Sequence, residues 1–150
     1  MQETLDRLQV GYSINTNPGL AIGQASTIGN DCATPLATTV EAQVYVSRLS
    51  GINQKAGSFD IEGYFRLWWT DARLKYNGTA DGGCLERLTV RVGETDKVPF
   101  WTPDIYFDIN KKNEIGKRSD GAAMYVYPDG GVLWTQRIRS TVNCKMNFGG

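Results

Sequence analysis

No histidine occurs in the 150 residues. This removes the side chain that most often acts as a general base near neutral pH, and with it the Ser-His-Asp and Cys-His arrangements of nucleophilic catalysis. It also removes the commonest zinc ligand. Three cysteines are present, Cys32, Cys84 and Cys144. No two are close enough for a Cys-x-x-Cys metal or redox motif, so no metal and no cofactor is expected. Two readings of the cysteines stand side by side. They are three buried thiols in a reducing compartment, or the chain is exported, Cys32 is joined to Cys84, and Cys144 is left over. Asn77-Gly78-Thr79 is an acceptor tripeptide for N-linked glycosylation and leans toward export. Glu62 and Asp104 are the kind of acidic pair a β-sandwich glycosidase would use. Such a pair must lie within roughly 5–10 Å. Nothing in the sequence orders it, so no enzyme is expected.

The chain that must position these residues is electrically balanced: 16 Lys+Arg against 16 Asp+Glu. A neutral chain has no broad field to hold a polyanion, so nucleic acid is not an expected partner. Hydrophobic residues make up 41%, with four Trp, seven Tyr and five Phe, which is enough for a folded core. The size is that of one domain or part of one. No apolar run approaches the ~18–20 residues that cross a bilayer. Met1 is followed by polar Gln2-Glu3-Thr4, so no signal peptide is visible, and any signal is expected either to have been removed or to precede the residues given.

Residues 3–10 are expected to form a short helix with Leu5 and Leu8 one turn apart. Residues 11–39 are rich in Gly, Asn, Ser, Thr and Ala and read as a long loop around Cys32, so 1–39 form an N-terminal helix and loop. From residue 40 the hydrophobic period becomes two. Val40, Ala42, Val44 and Val46 alternate with Glu41, Gln43, Tyr45 and Ser47, the pattern of a half-buried strand. Residues 51–57 read as a polar connection. The next strand places Phe59, Ile61, Gly63, Phe65, Leu67 and Trp69 toward a core and Tyr64, Arg66 and Trp68 away from it. A shorter strand spans 85–92, and 98–109 is an aromatic extended segment broken by Pro99 and Pro103. Residues 124–127 and 132–142 flank Pro128-Asp129-Gly130-Gly131 as a hairpin, with Val132, Trp134, Ile138 and Val142 facing one way. Several strands with turn signals and almost no helix indicate an all-β sandwich.

Four motifs then fall in register. Tyr64-Phe65-Arg66-Leu67-Trp68-Trp69-Thr70-Asp71-Ala72-Arg73-Leu74 carries a W-x-D-x-R-L pattern at a strand end. It is followed by Trp101-Thr102-Pro103-Asp104-Ile105-Tyr106-Phe107, by Pro128-Asp129-Gly130-Gly131-Val132-Leu133-Trp134, and by Cys144-Lys145-Met146. In this order and spacing, residues 40–148 resemble the extracellular domain of pentameric ligand-gated ion channels (Cys-loop receptors), nearest the GABA- and glycine-type anionic branch.

The resemblance implies an immunoglobulin-like β-sandwich, of which residues 40–150 are the N-terminal portion. It implies a small-molecule agonist bound between identical or related subunits of a pentamer, on the extracellular side of the plasma membrane. The pore would lie outside this chain. A soluble, pore-free binding protein of the same fold is the alternative. By the same resemblance Tyr64 matches the loop D aromatic, Arg66 an arginine used toward a ligand carboxylate, Tyr106 the loop A aromatic, and Leu133 and Thr135 loop E. Trp69, Asp71, Trp101, Pro103 and Asp104 are structural motif residues: a core aromatic, a turn acceptor, and a bend with an acid beside it. Cys144 matches the first cysteine of the signature loop, whose partner would come beyond Gly150. Tyr64 and Arg66 also have a plainer reading as strand-surface residues, with Arg66 paired to Glu62.

Overall fold

A computed structural model describes residues 2–19, 37–79, 84–92, 98–105 and 121–143. Its elements in chain order are α1 (Gln2–Gln9), β1 (Glu41–Asn53), β2 (Ser58–Thr70), a single 3-10 turn (Ala72–Leu74), β3 (Leu88–Val92), β4 (Ala122–Val126) and β5 (Gly131–Asn143). The strands form one antiparallel sheet in the order β1-β2-β5-β4-β3. This is the all-β architecture with a short N-terminal helix that the sequence leads one to expect, and it is consistent with a sheet layer of a β-sandwich.

Strand parity builds the core. In the β2–β5 pairing Trp69 lies opposite Val132, Leu67 opposite Trp134, Gly63 opposite Ile138 and Phe59 opposite Val142. One face of both strands is therefore largely apolar, interrupted on β5 by the buried Gln136 and Ser140, and Ile61, Phe65, Leu67, Trp69, Val132, Trp134, Ile138 and Val142 are all buried. Each such side chain contributes about 1.5–3 kcal/mol on burial. Met124, Val126 and Leu88 extend the face across β4 and β3, and Leu74, Val98 and Phe100 cover it. α1 has only eight residues, too few to be stable alone in water. Leu5, Leu8 and Tyr12 pack it against the core, while Glu3 in its first turn and Arg7 in its last suit the helix dipole.

Three expectations need correcting. The strand beginning near residue 40 is not half-buried, because β1 is exposed along almost its whole length. Its alternation is real, and Val44 pairs with Phe65 on the core parity. The described covering residues lie over the middle of the sheet, however, and β1 is the edge strand, so Val44 and Val46 remain 40% and 44% exposed. Residues 51–57 are not all connection, since β1 runs on to Asn53. The short strand expected over 85–92 begins only at Leu88, while residues 98–105 form no strand, as expected of a segment in which Pro99 and Pro103 cannot donate to a ladder.

Two glycines fix how the sheet closes. A Cβ on Gly63 would overlap the carbonyl oxygen of Tyr45, so only glycine lets β1 approach β2 beside the register shift between Val46 and Arg48. Gly130 has φ +87° in the β4–β5 turn, and a Cβ there would stand 2.6 Å from the Asp71 carbonyl oxygen. The turn is closed by Gly130 N donating to Tyr127 O (2.9 Å), and it docks on the end of β2 as Asp71 N donates to Gly130 O (2.9 Å).

Candidate ligand-binding face

The face of the sheet opposite the core carries the polar parity of β1, β2 and β5. Register aligns these residues into rows: Gln43–Arg66–Thr135, Tyr45–Tyr64–Arg137 and Glu41–Trp68–Leu133. Directly opposed side chains start about 4.5–5.5 Å apart, so each row forms one contact strip. Tyr64 is 41% exposed and Arg66, Trp68, Leu133 and Thr135 are half-buried. The rings of Tyr45 and Tyr64 lie 6.5 Å apart and tilted by 34°, and the Arg66 guanidinium carbon sits 5.8 Å from the Tyr64 ring centre.

Arg66 Nη1 donates to Gln43 Oε1 at 3.3 Å. The anticipated pairing of Arg66 with Glu62 does not occur. Glu62 lies opposite Arg139 in the β2–β5 register and forms an ion pair with it instead, Arg139 Nε to Glu62 Oε1 3.2 Å. Among the described residues no carboxylate reaches Arg66. A guanidinium has five N–H donors in a planar fork. Arg66 uses one of them toward Gln43 and lies beside the Tyr64 ring, and such a fork is suited to gripping a carboxylate through two N–H bonds.

A second cluster holds the end of β2 in place. Asp71 is fully buried and ends the strand as N-cap of the 3-10 turn. Its Oδ1 accepts from Arg73 N (3.1 Å) and Arg73 Nε (2.8 Å), and its Oδ2 accepts from Arg73 Nη2 (2.7 Å) and Tyr12 Oη (2.6 Å). Tyr12 Oη in turn accepts from Trp101 N at 3.0 Å, and the Arg73 guanidinium carbon lies 4.2 Å from the Tyr12 ring centre. Burial and the bond to Asp71 raise the Tyr12 hydroxyl pKa well above its ordinary value. The hydrogen bonds that Arg73 donates to Asp71 raise its own pKa despite partial burial. Asp71 does more than accept turn N–H groups: through Tyr12 it ties the end of β2 to the segment after α1 and to Trp101. Trp69 sits beneath, edge-on to Trp101 with ring centres 5.9 Å apart. Pro103 is half-buried, and Asp104 is exposed with no hydrogen bond among the described residues.

Sequence reading missed Gln43, Tyr12 and Arg73. The partner of Gln43 follows only from the β1–β2 register. Arg73 stands inside the W-x-D-x-R-L pattern, two residues from Asp71, and that spacing was the available signal. Nothing local marks Tyr12, which lies 59 residues from Asp71. Tyr106, Cys32 and Cys144 lie outside the described residues, and Cys84 is exposed.

Residues 2–149 match the family model of the neurotransmitter-gated ion-channel ligand binding domain. The chain belongs to that family. Its relatives include the gamma-aminobutyric acid receptor subunits beta-4 and alpha-6 of Gallus gallus. They are 28% identical over 149 residues and 27% over 145, matching 99% and 96% of this chain but 26% and 27% of their own lengths. The alpha-2 subunit of Rattus norvegicus is 26% identical over 145 residues, covering 96% of this chain and 28% of the relative. The chain thus spans about a quarter of the length of these curated relatives. It is a ligand-binding domain of the neurotransmitter-gated ion-channel family. No described helix is long and apolar enough to cross a membrane.

Proposed function

We propose that this ligand-binding domain takes a small agonist bearing a carboxylate and an ammonium group, at the interface between neighbouring subunits of a pentamer. Arg66 clamps the carboxylate, Tyr64 offers its ring to the cation, and Leu133 and Thr135 complete this wall from β5. Tyr106 belongs to the opposite wall, contributed by the next subunit. The observation that carries the reading is the Arg66 guanidinium, half-buried beside Tyr64 with no carboxylate partner among the described residues. Ligand pockets bury most of a small molecule, and one flat sheet face does not, so a second wall is needed. A ring of identical or related subunits would supply it. The relatives named for gamma-aminobutyric acid, an amino acid, agree with this ligand chemistry. Agonist binding would favour one of two subunit arrangements and open a pore in the plasma membrane, formed by segments outside this chain.

The test is agonist-evoked current from the full-length receptor with Arg66→Ala. A charge-assisted hydrogen bond contributes about 1.5–3 kcal/mol, so the half-maximal concentration of a carboxylate agonist should rise roughly tenfold to a hundredfold. An unchanged value would refute the role of Arg66. A reading frame that completes the domain without apolar stretches of ~20 residues would leave a pore-free binding protein in its place.

A further inference from the structure

We propose that Asn77 carries an N-linked glycan, an inference that rests on the reading of the chain as an exported receptor domain. Asn77-Gly78-Thr79 is the only Asn-x-Ser/Thr tripeptide in the sequence. The fold presents it outward. Tyr76 is tied inward by its Oη donating to Val126 O (3.1 Å) and its N donating to Pro128 O (3.2 Å). The next residue, Asn77, is exposed, and so is Thr79. Asn77 Oδ1 accepts from Thr79 N (3.0 Å) and Thr79 Oγ1 (2.9 Å). Both bonds engage the amide oxygen, and Nδ2 makes none among the described residues. The nitrogen that must react is therefore the free one. Asn77 also borders an open cleft of about 210 Å³ shared with Thr4, Arg7 and Leu8 of α1, which leaves room for a first sugar.

The donor is an oligosaccharide linked through pyrophosphate to a membrane polyprenol, and the catalyst is a membrane-bound oligosaccharyltransferase. Asn77 Nδ2 forms a bond to the anomeric carbon of the first sugar as the bond from that carbon to the phosphate oxygen breaks. The polyprenyl pyrophosphate leaves with the bonding pair, and one Nδ2 proton passes to a base of the transferase. No oxidant or reductant is involved. The modified loop lies on the side of the sheet that α1 covers. The glycan therefore leaves the face of Tyr64 and Arg66 clear.

The experiment expresses the full-length subunit in human cells, isolates the surface fraction by biotinylation, and treats it with peptide-N-glycosidase F in heavy-oxygen water. A labelled aspartate at position 77 in the tryptic peptide is expected. Spontaneous deamidation of the Asn-Gly pair before treatment would give an unlabelled one and would count against the proposal. Asn77→Gln and Thr79→Ala should each lose the label, and Thr79→Ser should retain it. Surface protein with Asn77 unmodified overturns the inference while the receptor reading stands. A chain that never becomes protease-protected in microsomes overturns both.

Discussion

Arg73 grips both oxygens of a carboxylate that has no solvent exposure, which sets the cost of losing it. Breaking a buried pair by removing one partner typically costs 3–5 kcal/mol. Tyr12 and the Arg73 backbone N–H would still serve Asp71 in an Arg73→Ala variant, so about 3 kcal/mol of destabilisation is expected in urea unfolding. Tyr12 supplies a pH signature. Its folded pKa lies above the ordinary value of 10.0, chiefly because burial disfavours the phenolate. A raised folded value means the contribution is complete below the unfolded pKa and is lost as pH climbs through the interval between the two. Tyr76 is shifted in the same direction, also by burial. Unfolding free energy should therefore fall as pH rises above 10.0, and Tyr12→Phe should flatten part of that slope. An identical slope in the variant would show that Tyr12 is not the titrating group.

At the level of elements, β2 holds the molecule together, pairing with β1 on one side and β5 on the other. Its closest approach to β1 is at Gly63, where a Cβ has no room. Gly63→Val should detach part of β1 rather than empty the core. Hydrogen exchange would then speed up along residues 43–49 while Phe65 and Trp134 stay protected from solvent. Trp69→Ala should do the reverse, costing about 3–5 kcal/mol through the cavity it leaves, with the β1 ladder unchanged. The period-two pattern made β2, β5 and their inward sets readable before any coordinates, because strands buried on one face write that burial into every second residue. β1 carries the same pattern without the burial. Periodicity shows which side chains share a face, and not what lies over it. The face of Tyr64 and Arg66 was legible for the same reason, whereas Gln43 and the Tyr12–Asp71–Arg73 cluster depend on contacts between distant segments.

For the whole molecule, the exposed edge is the weak point. Val44, Tyr45, Val46, Leu49 and Ile52 are 40–70% exposed on β1, the edge strand of the described sheet. Such an edge is a template for pairing with another chain. The isolated 150-residue chain should self-associate with rising concentration in analytical ultracentrifugation. Replacing Val44 and Leu49 by Lys should suppress this without lowering the unfolding midpoint, since neither lies in the core. The alternation along β2 also bears on how the receptor can diversify. Residues 64 and 66 lie on the face proposed to meet the ligand, while 65 and 67 answer to packing, on the same short stretch of backbone. Lineages can exchange the arginine or the tyrosine for other chemistry at little cost to folding. A single inserted or deleted codon between them would drive a guanidinium into the interior and a phenylalanine out of it. Ligand preference in this domain should therefore drift by substitution, with the length of this strand held constant.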